Sequence, residues 1–222
     1  MIHVWPVIHL VTPELAYRNA AMAQRAGVRG VFLIHMEGQD EQIDPIATQI
    51  KQRHPQLRVG VNYLSLNAPT ALARAIAMGH DASWSDRPGV RSDHMDPSVE
   101  AMSELLQQNP THQFFASVAF KYQPKDRDPG TAALRALTLG MVPTTSGEAT
   151  GHAPSVEKLA LIRQAIGPDA PLALASGATP ENAHALAPHL TDILVSTGIS
   201  INPDEFDETL LERLILATQP SR

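Results

Sequence analysis

Residues 171–198 read PLALASGATPENAHALAPHLTDILVSTG. Two segments of this stretch, 172–175 and 193–195, are apolar throughout and do not alternate with polar residues. Strands of parallel sheets that are covered on both faces have this pattern. The first apolar segment is followed by Ser176-Gly177 and the second by Ser196-Thr197-Gly198, and a helical segment lies between the two. The stretch therefore predicts a strand, a crossover helix and a second, parallel strand.

The same unit recurs along the whole chain. Eight short apolar runs are candidate strands, and they cover residues 3–10, 29–36, 57–64, 81–86, 112–120, 141–147, 171–177 and 191–200. Eight units in 222 residues average about 28 residues, enough for a strand, a helix and two loops. The pattern predicts an α/β fold, a compact (β/α)8 TIM barrel with residues 1–222 as a single domain. A doubly wound open sheet is the alternative, but it normally has fewer strands, and no G-x-G-x-x-G motif follows the first run.

Helix boundaries are marked by capping residues and glycine. A side-chain oxygen near a proline can accept a first-turn N–H group, which predicts helix starts at Thr12, Asn67, Asp96, Asp128, Thr179 and Asn202. Glycine adopts the left-handed conformation that ends helices, which predicts helix ends at Gly27, Gly79, Gly140 and Gly167.

Composition excludes several classes of protein. The chain has 17 Lys and Arg against 23 Asp and Glu, a formal net charge of −6, which disfavours nucleic-acid binding. No apolar run approaches the ~18 residues of a membrane span and no signal peptide is visible, so we expect a soluble, cytoplasmic protein without membrane insertion. The absence of cysteine excludes disulfides and thiol catalysis. Aromatic residues make up only 5%, which predicts an aliphatic core.

The loops after strands seven and eight are the clearest candidate site. Sites in these barrels lie at the carboxyl ends of the strands, and a phosphate site after strands seven and eight recurs. The candidate phosphate-binding residues there are Ser176, Gly177, Ser196, Thr197 and Gly198. Small residues let backbone N–H groups approach an anion, and a helix starting near Thr179 would add the positive end of its dipole. We expect Gly177→Val to close this site without removing a core contact; tight turns alone are the structural alternative.

Polar residues after the other strands extend the candidate site. The candidate substrate-binding residues are His9, Asn62, Lys121, Thr145, Ser146 and Thr150. The candidate catalytic residues are Glu37, Asp86 and Glu148, because carboxylates at a half-buried rim can be tuned towards neutral pKa values. Structural hydrogen bonding is the alternative for each of them. Schiff-base chemistry at Lys121 is disfavoured, since the sequence shows neither burial nor a cationic neighbour.

The sequence predicts no cofactor and no metal site. Asp93, His94 and Asp96 lie close together on a polar segment, which invites a metal interpretation. No pair of ligands at helical spacing supports that interpretation, so it is disfavoured.

Several segments resemble the BtpA family, phosphate-binding (β/α)8 barrels named after a photosystem I biogenesis factor. The most specific is ASGATPEN at 175–182, which resembles the family's G-S-G-V-T-x-E-N turn. VGVNYL at 59–64 resembles its G-[IV]-N-x-L strand, and TSGEATG at 145–151 resembles its T-G-x-x-T-G loop. The opening strand PVIHL at 6–10 and VSTG at 195–198 are also similar. The family's L-P-x-P-G-S-P stretch after the first strand is absent.

These observations predict an enzyme that acts on a small phosphorylated metabolite, a sugar or nucleotide phosphate, with the reaction left open. The alternative is a non-catalytic ligand-binding or assembly factor that retains the phosphate pocket, as the BtpA resemblance implies. Metal-dependent hydrolysis is a third and weaker hypothesis. The oligomeric state is left open, with a homo-oligomer as one option.

Overall fold

The fold is a closed barrel of eight parallel strands. It is seen in a computed structural model that describes residues 2–219. The strands are β1 (His3–His9), β2 (Gly30–Ile34), β3 (Arg58–Asn62), β4 (Ala82–Ser85), β5 (Gln113–Ser117), β6 (Val142–Thr145), β7 (Ala173–Ala175) and β8 (Asp192–Val195). Each strand pairs with the next, and β8 closes the barrel by pairing with β1, Asp192 opposite His3. The (β/α)8 prediction is confirmed.

Helices follow the strands and cover the barrel. They are α1 (Pro13–Arg25), α2 (Ile43–Arg53), α3 (Ala68–Ala77), α4 (Ser98–Gln108), α5 (Pro129–Thr138), α6 (Val156–Ile166), α7 (Ala183–Leu186) and α8 (Glu208–Ala217). A short antiparallel hairpin, β9 (Ser200–Asn202) and β10 (Glu205–Phe206), lies between β8 and α8. Helix α8 contacts both α7 and α1, so the last helix completes the outer ring.

Most predicted helix boundaries are confirmed, and their capping bonds are present. The side chains of Thr12, Asn67 and Asp128 each accept a first-turn N–H group. The helix-ending glycines all have positive φ, at Gly27, Gly79, Gly140 and Gly167.

The predicted helix start at Asp96 is confirmed to within one residue, because Asp96 Oδ1 accepts the Ser98 N–H and Pro97 directly precedes α4. The predicted helix starts at Thr179 and Asn202 are wrong. Thr179 donates its N–H to Asn182 Oδ1 at 2.8 Å, and α7 begins only after that turn. Asn202 Oδ1 accepts the N–H groups of Asp204 and Glu205, which makes the hairpin turn instead of a helix.

The barrel interior is aromatic, so the prediction of an aliphatic core is wrong there. Trp5, Phe32, Trp84, Phe115 and Phe120 belong to the cluster inside the strands. The Phe32 and Phe115 ring centroids lie 5.2 Å apart in an edge-to-face arrangement, which aromatic pairs favour. The few aromatic residues of the chain are thus concentrated where the barrel needs large side chains to fill it.

Candidate functional site

The candidate site lies at the carboxyl ends of the strands. Asp86 and Ser196 come two residues after Trp84 and Leu194, whose side chains belong to the barrel interior. Because alternate residues of a strand share a face, both positions continue the inward row to the mouth of the barrel.

Asp86 and Asn62 form a buried pair at the ends of β4 and β3. Burial raises the pKa of the Asp86 carboxyl above its ordinary value, while the neighbouring Lys121, Asn62 and Arg87 act in the opposite direction. Asn62 is 1% exposed. Among residues 2–219, neither Asn62 Nδ2 nor Asp86 Oδ1 has a hydrogen-bond partner. The pair therefore has free polar atoms at the mouth.

Lys121 connects this pair to the loop after β7. Its Nζ donates to Ser176 Oγ and to Thr150 Oγ1, each at 3.3 Å. Burial lowers the pKa of Lys121, and the Asp86 carboxylate raises it. Within residues 2–219 the ammonium thus has only neutral hydroxyl acceptors, over distances longer than the usual 2.7–3.2 Å, so an anion would be a better partner.

Ser176 has a backbone conformation that is uncommon outside glycine. Its φ is 89°, in the left-handed region. Its Oγ accepts hydrogen bonds from Gly151 N–H at 3.1 Å and from Lys121 Nζ. These bonds fix the turn after β7 against the loop after β6, and strained turns of this kind cluster at functional sites.

The loops after β6, β7 and β8 touch through their backbones. A Cβ on Gly177 would overlap with the backbone of His152 and Ala153, and one on Gly198 would overlap with the carbonyl oxygen of Ala178. The expectation that Gly177→Val closes the site without removing a core contact stays a prediction. The added side chain would meet main chain and not open space, so the loops would also have to move apart.

Four backbone N–H groups in these touching loops are free. Within the described part of the chain, the N–H groups of Gly177, Ala178, Thr197 and Gly198 donate to no protein acceptor. Ser196 Oγ is buried and also lacks a partner among these residues. The Thr179 N–H is already bonded to Asn182, and the four-residue α7 provides no helix dipole of useful length. The free donors come from the two loops themselves.

Four further candidate residues fall into a buried pair and an exposed pair. Thr145 and Ser146 are fully buried, and their hydroxyl groups bind Ala119 O, Gly147 O and the Lys121 N–H, so both residues order the loops. Glu37 is exposed and its carboxylate accepts from Gln39 Nε2 at 3.3 Å. Glu148 is exposed on the loop after β6, where its charge raises the pKa of Lys158. The structure places neither glutamate beside Asp86.

His9 lies at the end of β1, beside the β9–β10 hairpin. Burial lowers the pKa of its imidazole, and Asp204 of the hairpin raises it. The Lys121 charge also lowers this pKa, and the position of His9 as the last residue of β1 places it at the mouth of the barrel. The hairpin as a neighbour of His9 was missed, because Asn202 and Pro203 were interpreted as a helix start.

Lys158, in the first turn of α6, is a second residue that sequence reasoning missed. Its Nζ donates to Ala119 O at 2.6 Å and to Ser146 O at 2.7 Å. Burial lowers the pKa of Lys158 to about 8, while Glu148 raises it. Both acceptors are backbone carbonyls distant in sequence, so no local pattern marks this lysine.

Two further features concern metals and membranes. Asp93, one of the residues considered as a metal ligand, accepts a hydrogen bond from Arg91 Nε at 3.1 Å. No cluster of three or more potential metal ligands occurs within residues 2–219. None of the helices in that range combines the length and apolar character that crossing a membrane requires.

Comparison with known proteins identifies the fold. The chain matches 3-hexulose-6-phosphate synthase with a TM-score of 0.74 and 16% identity, over 98% of this chain and 100% of that one. It matches thiamine phosphate pyrophosphorylase from Pyrococcus furiosus with a TM-score of 0.68 and 15% identity, over 98% and 95% of the two chains. It also matches (S)-3-O-geranylgeranylglyceryl phosphate synthase from Thermoplasma acidophilum, whose structure is in complex with sn-glycerol-1-phosphate. That match has a TM-score of 0.67 and 18% identity, over 98% of this chain and 93% of that one.

The chain has the fold of these TIM-barrel enzymes. At such identities the likeness concerns the fold alone. The sequence matches no protein-family model, and it matches no curated protein. The resemblance to the BtpA family therefore extends as far as the (β/α)8 barrel, and the family itself is not shown.

Proposed function

We propose that the protein is an enzyme that acts on a small phosphorylated metabolite bound at the mouth of the barrel. The observation that carries this proposal is the set of four free backbone N–H groups on two touching loops, at Gly177, Ala178, Thr197 and Gly198. Ala178 is buried, Gly177 and Gly198 are half-buried and Thr197 is exposed, so an anion can approach these N–H groups from the mouth. A phosphate oxygen is a strong acceptor for such donors. Ser196 Oγ and Lys121 Nζ add donors at the same place.

Asp86 makes catalysis the better proposal than binding alone. A general acid or base works best when its pKa is close to the working pH, and burial shifts the pKa of Asp86 in that direction. The Lys121 ammonium lies between Asp86 and the turn at Ser176. A substrate held by its phosphate group would thus present its adjoining carbon atoms to Asp86. Two of the structural neighbours are also associated by name with phosphate esters, 3-hexulose-6-phosphate synthase and the synthase in complex with sn-glycerol-1-phosphate.

Phosphate binding is tested with inorganic phosphate and amide NMR signals. Titration is expected to shift the signals of Gly177, Ala178, Thr197 and Gly198 saturably. Lys121→Met is expected to weaken binding about tenfold, because a charge-assisted hydrogen bond is lost. Lys125→Met removes an exposed lysine of the same loop and is the control. Saturable shifts elsewhere, or equal affinity in the two variants, would contradict the phosphate site.

Catalysis is tested with Asp86→Asn. This variant is expected to keep its affinity for inorganic phosphate and to lose the turnover of any phosphorylated compound that the wild-type protein converts. Turnover at the wild-type rate would remove Asp86 from the proposed chemistry.

A further inference from the structure

Asn62 Nδ2 and Asp86 Oδ1 are buried atoms of neighbouring side chains, and the Asn62 amide lowers the pKa of the Asp86 carboxyl as a hydrogen-bond donor. Neither atom, however, reaches a partner with good hydrogen-bond geometry among residues 2–219. Buried polar atoms in folded proteins are nearly always hydrogen-bonded, and an unpaired one is costly. Side chains that stay unpaired at a strand end, beside a cavity, therefore indicate that a bound group completes them.

The cavity next to this pair has a volume of about 890 Å³. It extends from Asn62 and Asp86 outward between the start of α3 and the loop after β4. Several polar groups of its wall already bind one another: Ser98 Oγ donates to Asp96 Oδ1 at 2.6 Å, and Ser85 Oγ accepts the Arg87 N–H at 3.2 Å. The unpaired atoms of Asn62 and Asp86 are thus left for a ligand.

The donor and acceptor pattern of the pair selects the ligand group. Asn62 Nδ2 can only donate, and an ionised Asp86 Oδ1 can only accept. One hydroxyl group satisfies both, because it accepts through its lone pair and donates its hydrogen. An ammonium group cannot accept from Asn62, and a phosphate or carboxylate would be repelled by Asp86.

A nucleobase edge has the same pattern but finds no stacking surface here. The aromatic residue in the cavity wall is Tyr63, which is 3% exposed. The Arg74 guanidinium lies 4.7 Å from the centroid of its ring. The wall therefore offers a base no open aromatic face, whereas hydroxyl groups need none.

We infer that this cavity is a subsite for the hydroxyl-bearing part of the substrate, with one hydroxyl bound between Asn62 and Asp86. The inference rests on the proposed function and narrows its substrate class to polyhydroxylated phosphate esters, such as sugar or polyol phosphates. Lys121 donates to Ser176 at the phosphate subsite, and Asn62 and Asp86 lie at the carboxyl ends of β3 and β4 on the same mouth of the barrel. We therefore expect one molecule to occupy both subsites.

The test uses ribitol, an uncharged polyol, as the probe. Ribitol is expected to shift the amide signals of Asn62, Asp86 and Arg87 saturably, and to leave those of Gly177 and Gly198 unchanged. Asn62→Leu removes the donor at similar volume and is expected to weaken ribitol binding about tenfold. Ser98→Ala changes the same cavity at a hydroxyl already bonded to Asp96, and is expected to bind ribitol like the wild type.

A second variant keeps the test decisive if Asn62→Leu does not fold. Asp86→Asn replaces a carboxylate acceptor by a weaker amide and is expected to bind ribitol severalfold less tightly. If ribitol does not bind the wild type, or binds both variants equally well, water completes the pair and the inference is overturned. Inorganic phosphate is titrated into the same samples. Phosphate binding without ribitol binding overturns the subsite alone, whereas absent phosphate binding overturns the proposed function.

Discussion

Gly177 has two separate reasons to be glycine. Its φ is 83°, a conformation that costs other residues free energy. Its missing Cβ also leaves room for the backbone of Ala153. Gly151 shares the first property with a φ of 80°, but an added Cβ there would have none of the described residues within 4 Å.

These two glycines provide a matched pair of substitutions. Gly151→Ala is expected to lower the free energy of unfolding by about 1 kcal/mol, the cost of a left-handed residue. Gly177→Ala is expected to lower it by about 1–3 kcal/mol more, because the loops must also move apart. Urea denaturation of both variants measures the difference. Equal losses would mean that the contact between the loops after β6 and β7 is not tight in solution.

Helix α6 is linked to the loops after β5 and β6 through Lys158, which lies in the first turn of the helix. The Nζ of this lysine binds carbonyl oxygens of the loops after β5 and β6. A neutral amine has two N–H groups and can keep both bonds, so losing the proton removes the desolvation cost without breaking the link.

Stability is therefore expected to rise with pH where Lys158 titrates. Its pKa is lowered from 10.5 to about 8 in the folded chain. Between these values the unfolded chain holds more protons, so raising the pH favours the folded state. The unfolding free energy of the wild type, relative to Lys158→Met, is expected to be flat below pH 8 and to rise between pH 8 and 10.5.

Denaturation at a series of pH values measures this difference. The slope of this difference against pH cannot exceed about 1.4 kcal/mol per pH unit, which is the limit for one titrating group. Because the side chain is partly exposed, we expect the slope to stay below that limit. Lys125→Met, which removes an exposed lysine, is the control. A difference that falls over this interval would show that the charged lysine is favoured in the folded chain.

The interior of the barrel contains aromatic side chains that pack directly against glycines of the strands. A Cβ on Gly60 would lie 2.5 Å from Cε1 of Phe32, and one on Gly30 would overlap with the Trp5 ring. Phe32 and Trp5 both pack against Phe115, with centroid distances of 5.2 Å and 5.7 Å. Residues of β1, β2, β3 and β5 thus fill the interior together.

Substitutions at Gly60 and Phe32 are expected to compensate each other. Gly60→Ala alone overpacks the interior and is expected to cost about 1–3 kcal/mol. Combined with Phe32→Leu, the loss is expected to be smaller than the sum of the single losses by about 1 kcal/mol, as for residues in contact. Denaturation of the four proteins of this cycle measures the coupling. Gly60→Ala with Phe114→Leu, a phenylalanine of the outer core, is the control and is expected to be additive.

The architecture of this protein follows from its sequence, because the signals are local. Apolar runs such as 193–195 specify buried strands, and Asp128 or Gly167 mark helix boundaries within one turn of the residues they affect. The same local signals predict the wrong element where a side chain hydrogen-bonds to a different backbone group nearby. Asn202 makes a hairpin turn, and Asn182 takes the Thr179 N–H that a helix start would leave free.

Only the tertiary structure decides which polar groups are free to bind a ligand. Thr145 ends β6 and Asp86 follows β4, yet the Thr145 hydroxyl binds Ala119 O and Asp86 Oδ1 has no partner within residues 2–219. The contacts that settle this join distant residues, as between Lys121 and Ser176 or between Lys158 and Ala119. Hydrogen bonding and burial depend on the whole set of neighbours, and closure of the barrel brings those neighbours together.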